Sequence, residues 1–318
     1  MTALPPFLDV HPHGVHVVDT AFQRDQFDAS YLLVENGRAA FIDTGTNHAV
    51  RRLLRALGAL GLQPQDVDYV IATHVHLDHA GGVGLLMQSL PDATLVVHPR
   101  GARHLIDPTA LVAGATEVYG KEEMARSYGA LQAVPAERVL QSHDGMRLEL
   151  NGRPLEFLDT PGHARHHHCI WDERSRGFFT GDTFGLSYRE FDTDQGAYVM
   201  PTTTPVQFEP EALRDSINRM LSYQPEVMYL THYGPVYGVP RLAAQFFDQL
   251  DAMVALARSL RDAPDRHEAL KQGLAALSLD RLHAHGSTLA DERILELLSM
   301  DIELNAQGIG VWLDKEAR

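Results

Sequence analysis

Residues 67–82 read VDYVIATHVHLDHAGG, and the chemistry of the whole chain turns on them. Val67 to Thr73 is a β-branched run of the kind buried inside a sheet. The histidine-rich segment follows it directly, which places that segment on a strand-to-helix loop. Four metal-ligating side chains, His74, His76, Asp78 and His79, fall within six residues. Imidazole nitrogens and carboxylate oxygens are ligands suited to zinc or iron. At the end of a strand, His74 and His76 point to the same side because side chains alternate. The chain then turns, and Asp78 and His79 reach a neighbouring position from the helix entrance, where Gly81-Gly82 lets the backbone approach closely. This spacing suits two metals side by side, each taking two ligands from the segment.

On either side, short β-rich runs alternate with helical stretches. Gly14 to Asp19 and Ser30 to Val34 read as strands, Asn36-Gly37 as a hairpin turn, and Arg38 to Asp43 as the returning strand. Val50, Leu53, Leu54, Leu57 and Leu60 carry the i, i+3, i+4, i+7 spacing of a helix over 47–60. Thr94 to His98 predicts a strand and 116–130 a helix. Met146 to Leu150 and Pro154 to Asp159, joined by Asn151-Gly152, predict a second hairpin. His168 to Asp172, Gly177 to Gly181 and Val227 to Thr231 are further strands. Strands in two groups with helices between them predict an α/β architecture of two packed sheets covered by helices. After Pro240 the pattern becomes helical. Leu242, Phe246, Leu250, Met253, Val254 and Ala257 mark one apolar face of a long helix, and shorter segments follow near 264–278, 289–299 and 300–307. The organisation expected is therefore a core over 1–240 and a helical extension over 241–318.

Three more ligand-type residues each stand at the end of an apolar run: His163 in Thr160-Pro161-Gly162-His163, Asp182 after GFFTG, and His232 after VMYLT. Loop positions after strands are where α/β active sites place their functional groups. Taken with these residues, the chain resembles the metallo-β-lactamase fold superfamily. Its signature, His-X-His-X-Asp-His followed by Gly-His, Gly-Asp and a late His, occurs here in order across residues 10–240, and Asp43-Thr44-Gly45 matches an early structural turn of the family. The resemblance implies a four-layer αβ/βα sandwich with metals at one sheet edge. It also implies that His74, His76 and His163 hold one ion, that Asp78, His79 and His232 hold a second, and that Asp182 bridges them. Asp78 is the catalytic candidate among these ligands. The cofactors implied are two divalent ions, with Zn²⁺ first and Fe or Mn as alternatives, whose shared hydroxide attacks a carbonyl or phosphorus centre. His166, His167 and His168 are expected to be supporting or sheet residues. Cys169 is expected to be a buried apolar group, and Phe184, Tyr188 and Tyr233 are equally readable as pocket wall or core.

Composition narrows the function classes. The chain has 318 residues and 18 histidines, and its net charge is 27 − 42 = −15. Such an acidic balance offers no cation excess for a phosphate backbone, so no nucleic-acid partner is expected. One cysteine excludes an internal disulfide and a four-cysteine zinc cage. No apolar run reaches spanning length and the N-terminus lacks a signal-peptide pattern, so no membrane association and a cytoplasmic location are expected. Within the resembled superfamily, one subclass of true β-lactamases carries Cys where this chain has Asp182, and flavodiiron proteins carry Glu where it has His76. What remains resembles the glyoxalase II-like group, hydrolases of thioesters, lactones or related esters acting on a small molecule. That group's basic C-terminal glutathione clamp has no counterpart here. Two alternatives stand beside it: an iron-dependent redox protein, of the persulfide dioxygenase or oxygen-binding diiron kind, and a regulatory ligand-binding protein that dimerises through its C-terminal helices.

Overall fold

The computed structural model describes residues 4–316. Two mixed sheets form the centre. The first has seven strands in sequence order: Leu8–Val10 (β1), Val15–Asp19 (β2), Ala29–Glu35 (β3), Arg38–Ile42 (β4), Val67–Ala72 (β5), Thr94–Val97 (β6) and Val139–Gln141 (β7). The second has six: Met146–Leu150 (β8), Arg153–Asp159 (β9), His168–Asp172 (β10), Gly177–Gly181 (β11), Val227–Leu230 (β12) and Gly234–Tyr237 (β13), ordered β13-β12-β11-β10-β9-β8. Helices Val50–Ala59 (α1), Leu77–Ala80 (α2), Val83–Ser89 (α3), Pro99–Ile106 (α4), Thr109–Tyr119 (α5) and Lys121–Glu123 (α6) belong to the first half. Pro210–Ser222 (α7), Val239–Ser259 (α8), Arg266–Ala284 (α9), Asp291–Leu297 (α10) and Ser299–Glu316 (α11) belong to the second.

Three apolar layers hold this stack together, and strand alternation sorts residues between them. Tyr31, Ile42, Ile71 and Val96 point between the sheets and meet Phe157, Ile170, Phe179 and Tyr229. Their neighbours Leu32, Phe41, Val70 and Leu95 point outward and are covered by Leu53 and Leu57 of α1, Leu86 of α3 and Leu105 of α4. On the far face of the second sheet, Leu158, Phe178 and Met228 join Leu213 and Ile217 of α7, and the same cluster continues through Phe246, Leu274 and Trp312 of the C-terminal helices. The result is the four-layer helix–sheet–sheet–helix sandwich with C-terminal helices that the sequence predicts.

Topology brings the loops of interest to one edge. β4, β5 and β6 run parallel, so their carboxyl ends emerge together. In the second sheet β9 and β11 both run antiparallel to β10, and β12 runs parallel to β11, so β9, β11 and β12 also end at one edge. Backbone bonds tie the two edges: His168 N–H donates to the Thr73 carbonyl at 2.9 Å, and Ala29 N–H to the Thr231 carbonyl at 2.8 Å.

Some elements depart from the sequence reading. The helix expected at 116–130 starts earlier, at Thr109, and stops at Gly120, whose φ of +81° a helix cannot continue through; a single π-type turn spans Met124–Tyr128. The short strands β1, β7 and β13 and the helices α4 and α7 have no counterpart in that reading. Edge strands of three or four residues carry too few side chains for a period to show. The segments near 289–299 and 300–307 are α10 and α11, and α11 runs on to Glu316. Among the described residues, no helix is long and apolar enough to cross a membrane.

Candidate metal centre

All seven predicted ligands gather at the shared edge in two groups: His74, His76, His163 and Asp182, and Asp78, His79 and His232. His74 and His76 follow β5, Asp78 and His79 lie on α2, and His163, Asp182 and His232 follow β9, β11 and β12. The turns that deliver two of them require glycine. A Cβ on Gly162 (φ +134°) would stand 2.3 Å from the Leu213 Cα, and one on Gly181 (φ +46°) 2.5 Å from the His167 Nε2.

In the first group, His76 Nδ1 lies 2.7 Å from His74 Nε2 and 3.3 Å from His163 Nε2, and His163 Nε2 lies 3.3 Å from Asp182 Oδ2. In the second, His79 Nε2 is 3.3 Å from Asp182 Oδ1 and 3.9 Å from Asp78 Oδ2, and His232 Nε2 is 3.3 Å from Asp78 Oδ2. Four ligands at about 2.0–2.1 Å around one ion stand roughly 3.3 Å apart, the edge of a tetrahedron, which the 3.3 Å separations in both groups match while the His74–His76 pair is shorter and the His79–Asp78 pair wider. His79 Nε2 and Asp182 Oδ1 are buried with no hydrogen-bond partner, although they face each other at 3.3 Å. They converge on a common point rather than bond to each other, the arrangement of two ligand atoms. Asp182 turns one oxygen to each group, as a bridge does.

The far nitrogen of four of the five candidate ligand rings is held, His76 being the exception. His79 Nδ1 donates to Asp43 Oδ2 at 2.8 Å, His232 Nδ1 to the Phe27 carbonyl at 2.8 Å and His163 Nδ1 to the Thr202 carbonyl at 3.4 Å, while His74 Nδ1 meets Thr73 Oγ1 at 3.1 Å. These partners orient the rings and leave Nε2 free in His79, His163 and His232. Asp43 is the hub. Its fully buried carboxylate also accepts from Thr73 N–H at 2.8 Å, from Thr73 Oγ1 and from Thr231 Oγ1 at 2.8 Å. The sequence marks Asp43 only as part of a structural turn; its grip on His79 appears in the fold alone.

Electrostatics divides the histidines. Burial first, then the neighbouring imidazoles, pushes His74 and His76 far below the usual range, and burial pulls His163 down against Asp182. For His79 and His232 burial works in the same direction, but Asp182 and Asp78 override it; His79 rises well above its ordinary value and His232 to about 9. Burial would raise Asp182, yet His79, His163 and His232 hold it well below the carboxylate range. A divalent cation would take the place of those protons.

His166, His167 and His168 sit beside the groups rather than in them. His166 stacks on His74, with ring centroids 6.1 Å apart. His167 Nε2 accepts the Asp182 backbone N–H at 3.3 Å, so its proton sits on Nδ1, against Thr160 and Thr183. His168 starts β10 and pairs with Ser142 Oγ at 2.7 Å. Cys169 is buried in the same strand, its thiol pushed up to about 12 by burial. Tyr188 lines the cavity over the metal groups, whereas Phe184 stacks on Phe246 and Tyr233 joins the layer between the sheets. The cavity also receives Asp301 from α11, which bonds Tyr188 Oη at 3.1 and 3.2 Å. No motif announces Asp301 in the sequence, because its approach depends on how the C-terminal helices pack.

The profile of the metallo-beta-lactamase superfamily matches residues 25–232. The chain belongs to this superfamily. A metallo-beta-lactamase fold-containing protein from Sulfurisphaera tokodaii, ST1585, is 27% identical over 188 residues, 58% of this chain and 66% of its own length. Its crystal structure superposes with a TM-score of 0.64 over 94% of this chain and 99% of that one, at 21% identity. A family protein from Thermus thermophilus, TTHA1429, gives 0.62 over 90% and 93%, at 24% identity. A Bacillus subtilis protein described as a probable metallo-hydrolase, YqjP, is 23% identical over 240 residues, 70% of this chain and 72% of its own. The chain spans under two thirds of several relatives, 43% of a Caenorhabditis elegans beta-lactamase-like protein 2 homolog among them. At these identities the structural matches speak to the fold.

Proposed function

We propose that this superfamily member is a dinuclear metallohydrolase acting on a thioester, lactone or related ester. The observation that carries the reading is the split carboxylate of Asp182, one oxygen at 3.3 Å from each group of ligand nitrogens. Two divalent ions held by these residues would lower the pKa of a water between them and polarise the substrate carbonyl. The chain's own residues do the rest. Asp43, Phe27 and Thr202 fix the ligand rings, and His167 fixes the Asp182 backbone. Asp78 is the most exposed ligand carboxylate, its side chain 25% accessible against 8% for Asp182, and it lines the cavity. It is placed to accept a hydrogen bond from the attacking water and orient it toward the substrate. No other nucleophile competes, since Cys169 is buried with a raised pKa. The description of YqjP as a probable metallo-hydrolase agrees with this class.

The test is a panel of thioesters, lactones, esters and phosphodiesters offered to protein loaded with Zn²⁺, Mn²⁺ or Fe²⁺. Hydrolysis of the carboxylic esters is expected to vanish with a chelator, return with metal and survive Cys169→Ala. Stoichiometric oxygen uptake with a thiol or persulfide substrate would replace this reading by the iron-dependent redox one.

A further inference from the structure

The cavity above the metal groups has a volume of about 400 Å³ and is chemically lopsided. The Asp and His ligands occupy one end. The remaining wall is mostly apolar, with Leu111, Ala115 and Val118 on one side and Leu186, Met300 and Leu304 on the other. The first three stand at i, i+4 and i+7 on α5, whose sequence TALVAGATEVY carries a single charge and buries no residue fully. Leu111, Val112, Ala115 and Tyr119 are only partly buried against the core, so part of this apolar face stays open toward the cavity. Met300 and Leu304, one turn apart on α11, form the facing wall, so the C-terminal helices complete the cavity. Gly114 lies on the α5 face, and a Cβ there would meet no atom within 4 Å, which leaves a notch open to an occupant.

The charges present are of one sign. No lysine or arginine is among the lining residues, while Glu117 and Asp301 are. A substrate tail bearing phosphate or carboxylate would find no lysine or arginine there and would face two carboxylates.

We propose that the cavity takes an uncharged ester, lactone or thioester carrying an extended alkyl chain, which lies between α5 and α11 with its carbonyl at the metals. The assignment rests on the hydrolase reading, and two measurements separate them. On Zn²⁺-loaded protein, kcat/KM for N-acetylcysteamine thioesters from acetyl to dodecanoyl should climb about fourfold per methylene, the equivalent of ~0.8 kcal/mol, until the cavity is full. A chain of equal length ending in a carboxylate should fall at least tenfold below its methyl-ended counterpart. Gly114→Trp, which fills the notch, should cut the decanoyl-to-acetyl ratio more than tenfold. On metal-free protein, 1-decanol should displace the neutral dye Nile red, and decanedioate should not. Hydrolysis with a flat chain-length profile and no displacement by decanol overturns the alkyl assignment and leaves the hydrolase standing. Displacement by decanol with no hydrolysis of any thioester, lactone or ester overturns the hydrolase reading alone. Failure of both removes both.

Discussion

Asp43→Asn exchanges one carboxylate oxygen for an amide nitrogen and leaves volume unchanged, yet every group around Asp43 is a donor. Oδ1 accepts Thr73 N–H at 2.8 Å and Thr73 Oγ1 at 3.0 Å; Oδ2 accepts His79 Nδ1 and Thr231 Oγ1, both at 2.8 Å. An asparagine has one acceptor side. If its NH₂ faces Thr73, a buried backbone N–H loses its partner, at a cost of ~1–3 kcal/mol. If it faces His79, the imidazole must accept at Nδ1, its proton moves to Nε2, and the nitrogen aimed at the second metal group is no longer a ligand. The hydroxyls of Thr73 and Thr231 can rotate to adapt; the backbone amide cannot, so the second orientation is favoured. Loss of such an orienting partner weakens metal binding by about 10–100-fold, equivalent to ~1.4–2.8 kcal/mol. The loss should fall on one ion of two. Competition titration of the metal-free protein with Zn²⁺ against a chromophoric chelator should show two tight sites in the parent chain. In Asp43→Asn one site should be unchanged and one weakened by that factor. Two sites of undiminished affinity would refute the argument that Asp43 sets the His79 tautomer.

Three further outcomes follow from the geometry. Asp182→Ala should lower bound metal, read by elemental analysis, more than His79→Ala does, because Asp182 faces both groups; equal stoichiometries would contradict the bridge. Asp301 is raised to about 6 by burial, so the folded chain holds a proton there that the unfolded chain, with an ordinary carboxyl, has released. Stability of the metal-free protein should therefore fall as pH rises from about 4 through 6, by at most ~3 kcal/mol, and urea titrations of Asp301→Asn across that window should show this part of the slope removed. Arg153 is fully buried and binds Asp172, also fully buried, through Nε at 2.9 Å, and the His13 carbonyl through Nη1 at 2.6 Å, so it staples the first sheet's edge to the second sheet. Arg153→Met should destabilise the chain by ~3–5 kcal/mol in urea, with much of the loss recovered in Arg153→Met/Asp172→Leu; a single variant as stable as the parent would refute it.

The candidate ligand set was legible in the chain because its residues stand at the end of a buried strand or, for Asp78 and His79, in the short helix directly after one, and a strand's apolar run is a local signal. His74 and His76 follow VDYVIAT, Asp182 follows GFFTG, and His232 follows VMYLT, so identity, order and two-sheet architecture could all be read from stretches of ten residues or fewer. Only the tertiary structure decided what surrounds them. Asp43 and His79 are 36 positions apart, and Tyr188 and Asp301 113; nothing local records that they bond. The helix expected at 116–130 illustrates the same limit. Its apolar face is shared between the core and the cavity, so periodicity alone could neither place its start at Thr109 nor say what it faces. Metal ligands are set by chemistry that one residue type carries wherever it stands. A pocket wall is set by which helices pack across from one another, and that emerges when distant apolar faces such as α5 and α11 leave space between them.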